Sequence, residues 1–145
     1  MQVDFYQLSR DPVTQVLPQI ARRILDMDAR LLVVAADAQL RRAVSEQLWC
    51  AIPDSFLAHG DAGREGEGEQ PILLSADCVA ANGARHIALA DGQWREEALG
   101  FDRAFLFFDA DSIHGARASW RALSKAEGVE PRFWKQQGSK WVQGP

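Results

Sequence analysis

The sequence has few cysteines and no long apolar run. Only two of its 145 residues are cysteines, Cys50 and Cys78, and their separation fits neither a disulfide framework nor a close-spaced metal site. No apolar stretch approaches the roughly 20 residues that span a membrane. The N-terminus, MQVDFYQLSR, lacks the basic-then-apolar order of a signal peptide. These absences predict a cytoplasmic protein without a membrane partner.

Motifs for nucleotide binding and catalysis are also missing. The sequence has no G-x-x-x-x-G-K-[ST] loop, and residues 9–12, after the first predicted strand, offer no glycine for close approach of a dinucleotide. The three histidines, His59, His86 and His114, have no sequence-local carboxylate or cysteine partners that resemble a metal set. We therefore expect no catalytic residue, no cofactor and no metal.

Short β-rich runs alternate with helical patterns, which predicts a single α/β domain over 1–145 with a mostly parallel sheet flanked by helices. Two runs, 31–34 and 105–108, are apolar without alternation, as central strands buried on both faces should be. The predicted strands are 3–8, 31–35, 72–74, 86–89, 104–108 and 129–134. The predicted helices are 14–27, 38–49 with Asp37 as N-cap, and 113 to near Gly128.

Three segments do not follow this alternation. Residues 60–70 are glycine-rich and acidic and are predicted to form a mobile surface loop. Residues 49–56 combine two large aromatic side chains and a proline in a non-periodic stretch. Residues 136–145 are predicted to form a flexible tail that contains Trp141.

The last part of the chain carries the opposite charge from the rest. Residues 112–145 hold six Lys/Arg against two Asp/Glu, whereas residues 1–111 hold ten against 18. Arg117, Arg121 and Lys125 are spaced four apart and form one ridge of a helix. Trp120 falls beside that ridge. Cations next to a partly exposed indole suit an anionic partner with an apolar group, but the spacing fits a solvated helix face equally well.

The order and spacing of several blocks resemble the chi subunit of bacterial DNA polymerase III holoenzyme. The similarity spans almost the whole chain, with least agreement between residues 77 and 102 and after 135. The matching blocks are Phe-Tyr-Gln-Leu at 5–8, the 31–35 strand and its following helix, Leu-Trp-Cys-Ala-Ile-Pro-Asp-Ser-Phe-Leu-Ala-His at 48–59, the Ala-Gly turn at 62–63, and the helix around 116–121.

The resemblance implies a Rossmann-like fold without a nucleotide site, in a non-catalytic adaptor that contacts DNA only indirectly. Chi-family proteins bind the psi subunit, which joins them to the clamp loader. On another face they bind the acidic, phenylalanine-ended tail of single-stranded-DNA-binding protein. By position, Trp49, Pro53 and Phe56 fall in the loop that contacts psi.

The same transfer places Arg117, Trp120 and Arg121 at the site for the acidic tail, and Lys125 extends the ridge. The family's common Tyr is Trp at position 120, and a common Lys is Arg at position 121. Both changes keep the ring or the charge, so the implied chemistry is retained. The start of this helix, near Ser112, is one residue shorter than the family's, which leaves contacts from residues before Arg117 undetermined.

Two other functions remain open from the sequence. A small nucleotide- or metal-binding α/β enzyme would use Asp109 and Asp111, at the end of an apolar strand, although Asp111 and Ser112 also make a natural helix start. A protein that binds single-stranded nucleic acid directly would use a groove of cations and stacking rings. That groove would consist of Arg117, Trp120, Arg121, Lys125, Arg132 and Lys135.

Overall fold

The computed structural model describes residues 1–50, 57–138 and 140–144, in which eight strands form a single sheet. The strands are β1 (Gln2–Gln7), β2 (Leu31–Val34), β3 (His59–Asp61), β4 (Ile72–Ser75), β5 (His86–Leu89), β6 (Arg103–Phe108), β7 (Glu130–Gln137) and β8 (Lys140–Gln143). The α-helices of the described residues are α1 (Val13–Asp26), α2 (Ala38–Cys50) and α3 (Ile113–Ser124). None of these helices is both long and apolar enough to cross a membrane.

The strand order is β3-β4-β2-β5-β6-β1-β7-β8. Every neighbouring pair is parallel except β7 and β8, which are antiparallel. The predicted Rossmann-like α/β fold is therefore confirmed. The six predicted strands and three predicted helices are all present, with ends shifted by a few residues. Asp37 caps α2 as predicted, because its Oδ1 accepts a hydrogen bond of 2.9 Å from the backbone N–H of Gln39.

The helices cover both faces of the sheet. α1 and α2 pack on one face through residues such as Leu17 and Val44. α3 packs on the other face, where Leu123 is buried beside the strands. We call these the α1/α2 face and the α3 face. Because side chains alternate along a strand, Phe5 of β1 points to the α3 face and Tyr6 points to the α1/α2 face.

The C-terminal segment differs from the prediction. Instead of a flexible tail over 136–145, the structure continues β7 to Gln137 and forms β8. Trp141 of β8 packs edge-on against Tyr6, with ring centroids 5.1 Å apart. This contact joins residues at opposite ends of the chain, which explains why the local, polar composition of the segment did not indicate a strand.

The segment 60–70 also contains structure that its composition does not predict. Its first residues belong to β3, which pairs with β4, and a short 3₁₀ turn follows at Glu67–Glu69. Gly63 and Gly66 have φ angles of 84° and 83°, a region that glycine adopts without strain. α3 ends at Ser124, four residues before the expected stop at Gly128.

A buried carboxylate connects β1 to its neighbours. Asp4 is fully buried, and it accepts hydrogen bonds from Arg103 Nε at 2.7 Å and from Trp134 Nε1 at 3.0 Å. The arginine compensates the charge that burial would otherwise penalise. Burial, followed by the charge of Asp4, raises the pKa of the adjacent Tyr6 to about 12, so its phenol stays neutral. The network fixes β7 against β1.

Candidate functional site

A pocket of about 250 Å³ opens on the α3 face, between α3 and strands β6, β1 and β7. Its walls are largely aromatic and apolar. One wall comes from α3 and the others come from the strands, so residues from four elements meet here. The lining includes Phe5, Phe108, Ile113, Arg117, Trp120 and Phe133.

The indole of Trp120 lies between the sheet and solvent because of its place on α3. It follows the buried Ala116 by four residues and precedes the buried Leu123 by three, so it shares their side of the helix. Its ring meets Phe5 edge-on at a centroid distance of 5.2 Å and Phe133 at 6.3 Å. Edge-to-face packing of this kind holds the ring in place, and the pocket is therefore preformed.

The ridge of cations borders this pocket at one end only. Arg117 lines it, whereas Arg121 and Lys125 are exposed farther along the helix and do not line it. Within the described residues, none of the three forms a salt bridge. The structure thus brings Arg117 and Trp120 together at the pocket. Arg121 and Lys125 are exposed to solvent outside it.

The pocket walls that the strands supply were not among the residues predicted from the sequence. Phe5 and Phe133 both lie in predicted strands, and alternation alone would have assigned each of them to one face. It would not have shown that β1 and β7 are neighbours, although their register pairs Phe5 with Phe133 directly. The missing information was the strand order.

Trp49, expected at the psi-binding loop, lies near the C-terminal end of α2 and is 52% exposed. Its ring packs against the imidazole of His59 with centroids 4.7 Å apart. His59 is held in turn by hydrogen bonds with Ser45 Oγ at 2.7 Å and with the carbonyl of Leu57 at 2.8 Å. Pro53 and Phe56, the other two residues of that prediction, lie outside the described residues.

The aspartates considered for an enzyme support the helix start instead. Asp109 Oδ1 accepts hydrogen bonds from the backbone N–H groups of Asp111 at 3.0 Å and Ser112 at 3.1 Å. This carboxylate therefore shapes the turn into α3. In the parts of the chain that the structure describes, no three His, Cys, Asp or Glu side chains come together as a group that could hold a metal ion.

The residues considered for a nucleic-acid groove do not share one surface. Arg132 precedes Phe133 in β7, and strand alternation directs it to the α1/α2 face. It forms an ion pair of 3.3 Å with Glu130. Arg117 and Trp120 lie on the opposite face, so the six residues form no continuous track.

Comparison with known families finds a match over most of the chain. The family model described as DNA polymerase III chi subunit, HolC, matches residues 1–132. A search of curated proteins finds no match. The family match includes most of the pocket, from Phe5 to Trp120, and ends one residue before Phe133. The chain belongs to the DNA polymerase III chi subunit family and has an accessory role in DNA replication.

Proposed function

We propose that the chain is a non-catalytic adaptor that links the clamp-loader complex, through the psi subunit, to the C-terminal tail of single-stranded-DNA-binding protein. Family membership supplies the context. The observation that carries the proposal is the aromatic pocket on the α3 face, with Arg117 at its edge. The chemistry of this pocket complements an acidic peptide that ends in phenylalanine.

The pocket has the size and the polarity for that peptide end. A cavity of about 150 Å³ holds a benzene ring, so about 250 Å³ accommodates a phenyl group and part of the backbone. The rings of Phe5, Trp120 and Phe133 would surround the phenyl group. Arg117 can donate two parallel hydrogen bonds to the terminal carboxylate.

The expected affinity is modest. Burial of one phenyl group contributes on the order of 2–3 kcal/mol, and each partly exposed ion pair adds about 0–1 kcal/mol. These contributions correspond to a dissociation constant no tighter than the micromolar range. Such a contact becomes effective when many peptide tails are presented along one DNA strand, because the effective concentration is then high.

The two proposed partner surfaces lie apart. The pocket is on the α3 face beside β1 and β7. Trp49 belongs to α2, which packs on the other face and contacts β4, near the opposite edge of the sheet. A bridge requires this separation, because one partner is held at the clamp loader while the other sits on coated DNA.

The first test reverses the charge at the pocket. We expect Arg117→Glu to lower affinity for an acidic, phenylalanine-terminated peptide about tenfold or more, because it replaces attraction by repulsion at the carboxylate. Arg121→Glu, which changes an exposed cation outside the pocket, is expected to lower the affinity for the peptide about threefold. Both residues are exposed, so the melting temperature should barely change. Isothermal calorimetry measures the affinities, and added salt should weaken binding of the unmodified protein.

The control for this series is Arg22→Glu, which makes the same charge change at an exposed position of α1. It should leave the affinity within about twofold of the original. If Arg22→Glu and Arg117→Glu weakened binding equally, the effect would come from net charge alone. Unchanged binding in Arg117→Glu would exclude the pocket as the peptide site.

The second test concerns simultaneous binding. We expect a ternary complex of the chain, the psi subunit and the peptide, with each partner changing the other's affinity less than about threefold, well under 1 kcal/mol of coupling. Titration of labelled peptide with and without saturating psi measures this coupling. Mutual exclusion of the two partners would rule out a bridging function even if both binary contacts existed.

A further inference from the structure

The β7–β8 hairpin supplies the wall of the pocket that faces α3. Phe133 of β7 lines the cavity, and Gly144 packs directly against it. The backbone N–H of Gly144 donates a 2.8 Å hydrogen bond to the carbonyl of Phe133. A Cβ atom on Gly144 would clash with Phe133 Cδ1, so any larger residue would displace the ring. The segment after residue 132 thus shapes the pocket, although it lies outside the family match.

The register of the hairpin places two lysines on the same face as Phe133. Lys135 follows Phe133 by two residues and pairs with Val142, and Lys140 precedes Val142 by two. Opposed residues of an antiparallel pair share a face, as do residues two apart in one strand. Lys135, Val142 and Lys140 therefore face the α3 side, and all three are exposed. We call these three residues the hairpin strip.

The other face of the hairpin is fixed by buried contacts. Trp134 donates its indole N–H to Asp4, and Trp141 packs against Tyr6. Gln136, which pairs in register with Trp141, is buried and donates a 2.7 Å hydrogen bond to Asp11 Oδ2. These contacts hold the hairpin in one orientation, so the hairpin strip stays on the side of the pocket.

The hairpin strip continues the pocket on the side away from α3. Gln7 of β1 lines the pocket and pairs in register with Lys135. Neighbouring strands are about 4.8 Å apart, so Lys135 lies one strand from Gln7 and Lys140 lies two strands from it, about 10 Å across the sheet. Arg117 stands on the opposite, helical side. An anionic ligand in the pocket therefore meets cations on both sides.

We infer that the hairpin strip binds the acidic residues that precede the terminal phenylalanine and thereby directs the peptide across β7 and β8, away from α3. This inference rests on the proposed function of the pocket. An extended chain advances about 3.3 Å per residue, so the three or four residues before the phenylalanine reach both lysines. Charge complementarity supports this occupant, because residues 112–145 hold six Lys/Arg against two Asp/Glu.

The experiment compares two peptides that share a terminal phenylalanine. One has aspartates at the three positions before it, and the other has asparagines there. We expect the double variant Lys135→Glu, Lys140→Glu to bind the aspartate peptide about tenfold more weakly and the asparagine peptide within about twofold of the original. The milder Lys135→Gln, Lys140→Gln variant should give about a threefold loss for the aspartate peptide only. Calorimetry at low salt measures the affinity of the original protein and of both variants for each peptide, and circular dichroism verifies the fold.

A charge-matched control is the double variant Arg22→Glu, Arg42→Glu, whose exposed side chains lie on the helices of the other face. It should not discriminate between the peptides. If Arg117→Glu weakens binding and the lysine variants do not, the hairpin strip is excluded and the pocket remains the peptide site. If neither set of variants matters, the proposed function fails as well. If the lysine variants lost equal affinity for both peptides, the inference would also be wrong, because the lysines would then not bind the acidic residues.

Discussion

Removal of the terminal phenylalanine from an acidic peptide is expected to lower its affinity for the pocket on the α3 face about one hundredfold. The phenyl group is the apolar group that the pocket is proposed to bury, and its burial contributes on the order of 2–3 kcal/mol. Each 1.4 kcal/mol corresponds to about a factor of ten. Truncation also moves the terminal carboxylate away from Arg117. Fluorescence anisotropy of a labelled peptide, with unlabelled variants as competitors, measures the loss.

A double-mutant cycle tests whether this loss of affinity arises at the pocket. In Trp120→Ala, which removes one aromatic wall, the difference between the full and truncated peptides should shrink from about one hundredfold to less than about tenfold. Because Trp120 also packs against Phe5, the stability of this variant is checked by thermal denaturation. Trp120→Phe keeps a ring and should retain most of the discrimination. Equal binding of the full and truncated peptides to the unmodified protein would show that the anchor is not a phenyl group.

The helical half of this site is predictable from the sequence, and the sheet half is not. A period of 3.6 residues is enough to put Trp120 beside Arg117 on one side of α3. The opposite wall depends on β7 lying next to β1, which are more than 100 residues apart in sequence. Local patterns predict each strand separately. They do not determine the order of strands, because that order is set by long-range packing.

The C-terminal hairpin illustrates the same limit. Residues 136–140, Gln-Gln-Gly-Ser-Lys, have the composition of a polar tail. The strand after them is stabilised by the contact of Trp141 with Tyr6 and by the hydrogen bond of Gln136 to Asp11. Both partners come from the first residues of the chain. A single tryptophan in a polar segment was the only local sign that this segment packs against the domain.

The central strands show where sequence reasoning succeeds. Leu31 and Val33 pack on the α1/α2 face, whereas Leu32 and Val34 pack on the α3 face. A strand that is covered on both sides has no polar alternation, so its apolar run predicts both its conformation and its central place. The structure confirms both, since β2 lies between β4 and β5. Such inferences need only the properties of one segment.

Truncation of an exposed tryptophan tests the second proposed partner surface. We expect Trp49→Ala to weaken association with the psi subunit about one hundredfold, because large aromatic side chains at interfaces commonly contribute 2–4 kcal/mol. Trp49 is already 52% exposed, so truncation removes less packing from the free protein than it would at a buried position, the ring contact with His59 included. The melting temperature should fall by only a few degrees. Surface plasmon resonance with immobilised psi measures the affinity.

The matched control for this variant is Met27→Ala, which truncates another large apolar side chain that is 57% exposed, at the end of α1. It should change neither binding nor stability appreciably. Phe56→Ala extends the test to another residue of the predicted psi-binding set and should likewise weaken association strongly. A loss of about 3–5 kcal/mol of stability in Trp49→Ala or Phe56→Ala would instead indicate a core side chain. Unchanged binding of psi in Trp49→Ala would exclude Trp49 as an anchor of the docking surface, since the proposal assigns it the role of the central aromatic contact.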